Sequence, residues 1–167
     1  MTLWRPMEPV DIEEVHSIAD RTHPDHPEDF AVLAERRQLF PDGCKVLDRD
    51  GAIVGYAISH PWLFGAPPAL NSLLGALPAE PNTLYLHDLA IASAARGNGC
   101  ASRAVQQLAG LATQLGLPNV SLVAVSGSRV FWEKHGFVPK ALPGLSTKLA
   151  SYGGDAIFLA RDLTSPA

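Results

Sequence analysis

Residues 84–101, Leu-Tyr-Leu-His-Asp-Leu-Ala-Ile-Ala-Ser-Ala-Ala-Arg-Gly-Asn-Gly-Cys-Ala, constrain the fold more than any other stretch. The apolar run at the start reads as a buried β-strand, and Arg96-Gly97-Asn98-Gly99 reads as a tight turn. Ala101, Ala104, Val105, Leu108, Leu111, Ala112 and Leu115 then recur at helical spacing as far as Gly116. A strand that feeds a helix through glycines gathers backbone N–H groups at the helix N-terminus, where an anion such as a pyrophosphate can sit. Gly97 and Gly99 let the main chain approach such a group, and Arg96 adds a charge. Taken alone, the same glycines also suit a plain strand-to-helix turn.

The rest of the chain alternates strands and helices. Residues 2–7 suit a short strand, and Asp11 with Glu14 has the form of a capping box before the apolar stripe Ile12, Val15, Ala19. A polar loop with two prolines, 23–29, precedes a helix through Phe30, Leu33 and Leu39. Strands around 44–48 and 53–60 are joined by Arg49-Asp50-Gly51, and Asp-Gly is a strong hairpin signal. Residues 61–82 carry a single charge, Glu80, and read as a long excursion with at most one short helix; such connections often serve as lids or binding loops. A β-branched strand at 119–125, a short helix at 126–135 closed by Gly136, and a last strand at 152–162 complete the pattern. The 167 residues form one domain, 1–167, with no repeat or linker to divide them.

Composition narrows the function by exclusion. A net charge of −4 argues against nucleic-acid binding, which needs a basic face. No long apolar span or leader stands out, so a membrane partner and secretion are not expected. Cys44 and Cys100 form no CxxC pattern and read as free thiols of a reducing compartment, which makes a cytoplasmic location the expectation.

Arg96-Gly97-Asn98-Gly99-Cys100-Ala101 resembles the Arg/Gln-x-x-Gly-x-Gly/Ala pyrophosphate loop of the GNAT superfamily, the acyl-CoA-dependent N-acyltransferases. Leu89-Ala90-Ile91 is similar to that family's Leu-x-Val strand end, and Ser128 to Phe137 to its short helix ending in Gly-Phe. Arg5-Pro6 through Asp11-Ile12 and the hairpin 50–56 also sit where members have such residues, so the likeness covers most of the chain. The resemblance implies an α/β (α+β) fold, a mixed, mostly antiparallel central sheet of about six or seven strands flanked by helices on both faces. It implies acetyl-CoA (coenzyme A) as co-substrate and transfer of an acetyl or short acyl group to a primary amine, carried by a small molecule or a peptide. On this reading the cofactor-binding residues are Leu89, Ala90, Ile91, Arg96, Gly97, Asn98, Gly99, Cys100, Ala101, Ser126, Phe131 and Trp132. The strand 85–91 would splay from 120–125 and pair with the pantetheine, a cofactor adding itself to a sheet edge. An N–H near Leu89 or Ile91 would then polarise the thioester carbonyl. A homodimer is one arrangement the resemblance implies.

The attacking amine must lose a proton, and an imidazole, with an unperturbed pKa of about 6.5, suits that task at neutral pH. His87, matching a position where some members place a catalytic Glu, and Asp88 are the catalytic candidates, although a strand histidine can equally serve the core. Strict alternation would put Tyr85, His87, Leu89 and Ile91 on one face and Leu86, Asp88 and Ala90 on the other. Two positions depart from the family. Trp132 stands where many members have a Tyr that protonates the leaving thiolate, and an indole N–H cannot ionise usefully; solvent, Cys100 or Tyr152 remain as acids. Val125 stands where members have Asn, with Ser126 either its replacement or a helix N-cap. These departures keep a second reading open, a non-catalytic acyl-CoA-binding module or sensor on the same fold. A third, an unrelated dinucleotide binder, lacks the acidic residue wanted about twenty positions after the loop.

Smaller features complete the reading. His23, Asp25, His26, Glu28 and Asp29 are metal-ligand residue types, but their prolines favour a solvated turn and no metal is assigned. Those acids could instead attract an amine. Trp62 and Phe64 either wall the acceptor pocket or anchor their own loop.

Overall fold

The computed structural model describes residues 1–125 and 127–163. Seven strands form one sheet: β1 (Thr2–Pro6), β2 (Cys44–Arg49), β3 (Ala52–Trp62), β4 (Thr83–Ile91), β5 (Asn119–Ala124), β6 (Val138–Pro139) and β7 (Ile157–Asp162), in the order β1-β2-β3-β4-β5-β7-β6. Every pairing is antiparallel except β4 with β5. Helices α1 (Ile12–Thr22) and α2 (Phe30–Leu39) cover one face. Helix α3 (Cys100–Gln114) and the short α4 (Arg129–Lys134) cover the other. A single turn, α5 (Leu145–Lys148), lies before β7. The sequence reading lacked both α5 and the two-residue β6, which are too short to show a period.

Each face has its own core. Val15, Ile18 and Leu33 pack on Val46, Tyr56, Ile58 and Ala90, whereas Val105, Leu108 and Ala112 pack on Leu84, Leu86, Val120 and Leu122. Burying each of these side chains contributes about 1.5–3 kcal/mol, so the two layers fix the sheet between them. The β2–β3 hairpin turns at Asp50 (φ 53°) and Gly51 (φ 90°), the paired positive angles that a type I′ turn demands.

Local details depart from the pattern in the sequence. The capping box forms one turn early, with Glu8 as N-cap: Glu8 N–H donates to Asp11 Oδ2 at 2.8 Å. Asp11 is drawn there because Arg5 grips both its oxygens, at 2.8 and 3.1 Å, so Asp11 makes no side-chain cap for α1 and pairs with no Glu14. Residues 63–82 contain no helix. The last strand starts only at Ile157, because Tyr152 closes a 3-10 turn and Gly153 (φ 99°) redirects the chain.

Candidate active site

The parallel pair at the centre of the sheet comes apart. β4 and β5 are in register only at Leu84↔Val120 and Tyr85↔Ser121. Beyond Tyr85 the two strands diverge, and a cleft of about 650 Å³ opens between them. Alternate amides of a strand point to opposite sides, so those of β4 not committed to β3 face this gap.

The glycine loop closes one end of the cleft. Leu89, Ala90, Ile91, Arg96, Gly97, Gly99, Cys100 and Ala101 all line it, as do Phe131 and Trp132 from α4. Gly97 (φ 90°) and Gly99 (φ 73°) adopt left-handed backbone that other residues enter only at a cost. A Cβ at Gly97 would meet nothing within 4 Å, so conformation rather than crowding demands glycine there. Gly99 is the N-cap of α3 and offers no side-chain acceptor to the first-turn amides. The Arg96 Nε–H donates to the Ile91 carbonyl at 2.9 Å, tying the loop back to the strand end. Asn98 does not line the cleft; it is exposed, and its carbonyl accepts from Arg103. Ser126 lies outside the described residues. These features fit an acyl-CoA: amides and a helix N-terminus for the pyrophosphate, then an open strand edge for the pantetheine.

Of the two protein acids offered by the sequence, Cys100 lines the cleft and Tyr152 does not. Trp132 is buried, edge-on to Phe137 and Phe131, with ring centroids 5.4 and 4.9 Å away, and forms part of the core under α4. Tyr152 is not in the cleft; its hydroxyl donates to the Pro68 carbonyl and meets the Tyr85 hydroxyl at 3.2 Å. Cys100 lines the cleft, and its Sγ accepts from Arg103 Nη2 at 3.1 Å.

At His87 the strand departs from alternation. The register passes from Ile58↔Asp88 straight to Ser59↔Leu86, leaving His87 unmatched. Such a bulge lets two consecutive side chains share one side and re-aims them. Leu84 and Leu86 before it, and Leu89 after it, all pack towards α3. His87 and Asp88 both meet residues from the α1–α2 connection instead, so the expected split of these two between opposite faces does not occur.

Each has a built partner. Glu28 Oε1 accepts from His87 Nε2 at 2.6 Å, and both side chains are buried. Burial pushes the Glu28 carboxyl up, but the His87 charge and hydrogen bond and the Asn71 amide outweigh it and hold it below its ordinary value. With Nε2 donating, the bare lone pair of a neutral ring falls on Nδ1, which is buried and has no partner among the described residues. His23, the C-cap of α1, meets Asp88 Oδ1 at 2.9 Å, and Tyr56 donates to Asp88 Oδ2. The Asp88 hydrogen bond raises His23 above its ordinary 6.5; Asp88 itself, despite burial, is held down by His23 and Tyr56. The remaining members of the 23–29 cluster scatter: His26 meets the Tyr152 carbonyl, and Asp29 N–H donates to Asn71. Trp62 donates to the Ala66 carbonyl and Phe64 packs on Phe158, so both anchor their own loop. Sequence reasoning named the acids near Glu28 but could not pair one with His87, since 59 residues separate them.

A mixed sheet that splits at its one parallel pair among the described residues, with a glycine loop at the mouth, defines a class of α/β protein with an open strand edge beside a helix N-terminus. The chain belongs to the acetyltransferase (GNAT) family, whose model matches residues 12–137, and its co-substrate is accordingly an acyl-CoA. Solved structures agree on the fold. Ard1 from Thermoplasma volcanium superposes with a TM-score of 0.73 at 20% identity, covering 98% of this chain and 99% of that one. The GNAT-like decarboxylase GphF in complex with isobutyryl-CoA gives 0.81 at 21%, covering 97% and 100%. The NatC complex bound to Gag peptide and CoA gives 0.71 at 16%, covering 98% and 99%. No curated protein sequence matches the chain. Among the described residues, no helix is long and apolar enough to cross a membrane.

Proposed function

We propose that the protein is an N-acyltransferase that moves an acetyl or short acyl group from acetyl-CoA to a primary amine, with His87 as general base. The observation that carries this reading is the buried Glu28–His87 pair at the wall of the acyl-CoA cleft, its Nδ1 left bare. Bound acetyl-CoA supplies a thioester whose carbonyl carbon the amine nitrogen attacks, the C–S bond breaking to give an amide and CoA thiol.

The chain's own residues supply orientation and proton handling. Glu28 fixes the His87 tautomer, and Nδ1 takes the proton that the amine sheds. Asp88, gripped by His23 and Tyr56, holds the bulge that aims His87 and acts as a positioning residue. The free amides of β4 polarise the thioester carbonyl. Trp132 packs beside the pantetheine and donates no proton, which leaves solvent or Cys100 in the cleft wall to protonate the thiol. Free, buried Cys44, its thiol pushed up to about 12 by burial, and free Cys100 accord with a reducing cytoplasm.

The rival is the non-catalytic acyl-CoA-binding module, favoured by Trp132 at the acid position. Unfolding midpoints with and without acetyl-CoA, followed by amine-dependent thiol release, separate the two. A midpoint shift followed by release with some amine supports transfer; a shift with no release from a broad amine panel supports the module. A parallel incubation with malonyl-CoA and no amine tests the decarboxylation for which GphF is named.

A further inference from the structure

The strap 63–82, between β3 and β4, takes no part in the proposed chemistry, yet one of its residues grips the charged partner of His87. The two carboxylate oxygens of Glu28 are divided between them. Oε1 accepts from His87 Nε2 at 2.6 Å, and Oε2 accepts from the Asn71 backbone amide at 3.0 Å. The Asn71 side chain makes a second bond to the same corner, its Oδ1 accepting from the Asp29 amide at 2.7 Å. Asp29 is the N-cap of α2, so the two bonds tie the strap to the stretch of chain that carries Glu28. On the α1 side the Glu28 carbonyl accepts from His16 Nε2 at 2.9 Å.

The backbone at Asn71 is bent to make this contact. Among the described residues, Asp50 and Asn71 alone combine a side chain with a positive φ. Asp50 answers to its hairpin turn, whereas Asn71, at φ 55°, lies in a strap with no strand or helix around it. Left-handed backbone is costly for a residue with a Cβ, least so for Asn, and it persists where the surroundings over-determine it. Here they do. The Tyr152 hydroxyl donates to the Pro68 carbonyl, and the Leu70 amide donates to Ser151 Oγ at 2.9 Å. The buried Arg36 donates from Nη1 to the Ser72 carbonyl at 2.9 Å, while its Nε and Nη2 have no partner among the described residues. Asn71 itself is exposed, so replacing it opens no cavity.

The consequence falls on the His87 tautomer. A neutral imidazole carries one proton, and a carboxylate fixed beside Nε2 keeps it there and leaves the lone pair on Nδ1. A carboxylate free to swing away, or to take up a proton, loses that control. Burial pushes the Glu28 carboxyl up, and the Asn71 amide is among the bonds that hold it down. We infer that Asn71 is a positioning residue of the amine side: its amide fixes the Glu28 carboxylate, which keeps the bare lone pair of His87 on Nδ1. The role in catalysis rests on the acyl-transfer reading; the relay from Asn71 to His87 is readable without turnover.

The test reads the tautomer from the nitrogen chemical shifts of the His87 ring in ¹⁵N-histidine-labelled protein, at a pH where the ring is neutral, with H87Q to assign the signal. The wild type is expected to show the Nε2–H tautomer alone. N71A loses Oδ1 and disfavours the left-handed backbone, so a mixture of both tautomers is expected. N71G loses Oδ1 but keeps the angle accessible, and should show a smaller admixture. The wild-type pattern in both variants, or an Nδ1–H ring in the wild type, overturns the inference. Kinetics give a second reading. N71A is expected to lower kcat for thiol release tenfold or more with KM for acetyl-CoA unchanged, and to cost nothing further in an E28Q background. The same loss in both backgrounds overturns the relay through Glu28. A changed tautomer with no thiol released from any amine upholds the relay and sinks acyl transfer. Should N71A not fold, N71G decides by the same two measurements.

Discussion

The two halves of the site are built differently. The acyl-CoA side is made of consecutive backbone: β4 from Leu89, the loop 92–99, and the first turn of α3. The proposed amine side is made of side chains from remote positions, with Glu28 drawn from the α1–α2 connection and His87 from β4. Backbone recognition needs only a local conformation and tolerates variation in side chains; side-chain recognition needs a particular tertiary arrangement. One half can therefore be read from a short motif and the other cannot.

The largest effect should come from the amine side. H87A is expected to lower kcat for thiol release by about 10²–10⁴. E28Q keeps a hydrogen-bond partner without its charge and should cost less. Near-normal rates in H87A would show that the proton leaves by another route, and the amine side would lose its centre. On the acyl-CoA side, G97V places a β-branched residue at φ 90° and should destabilise the protein by about 1–3 kcal/mol. The same variant, or R96E, should abolish the midpoint shift that saturating acetyl-CoA gives the wild type. That shift corresponds to about 2.7 kcal/mol at a hundredfold excess over Kd. Retention of the shift in both variants would make the loop a turn and nothing more.

D88N probes the seam between the halves. It weakens the acceptor of both His23 and Tyr56 and should cost about 1–3 kcal/mol, measured by denaturant unfolding. It should also alter the pH profile. The His23 value is raised in the folded protein, so its protonation favours folding. That stabilisation is complete below the unfolded value of about 6.5 and is lost as the pH climbs through the higher folded one. The Asp88 value is lowered, so its contribution is present above the unfolded value of about 3.9 and is lost as the pH falls through the folded one. H23Q should flatten the alkaline side of the curve and, because His23 also holds Asp88 down, weaken the acid side as well. The smallest change is expected from W132F, about 1 kcal/mol of stability with kcat preserved, because the indole passes no proton. A large fall in kcat without loss of acetyl-CoA binding would return Trp132 to the chemistry.

The glycine loop, the Asp50-Gly51 hairpin, the apolar stripes of α1 and α3 and the family itself were legible because each is a local pattern with a physical period. Where local patterns compete, the tertiary structure decided. Asp11 looked like one half of a box with Glu14 until the Arg5 guanidinium took it. His87 and Asp88 looked like opposite-facing neighbours until the bulge in β4 turned both towards α1 and α2. Tyr152, a spare acid on paper, is spent on Pro68 and Tyr85.

By itself the sequence determined that a tight turn would lead into α3, because glycines at 97 and 99 enter left-handed backbone at little cost. Only the tertiary structure decided which imidazole nitrogen of His87 finds a partner and which guanidinium nitrogen of Arg36 does. Those outcomes depend on carboxylates and carbonyls brought in from dozens of residues away, and no periodicity along a chain records such meetings.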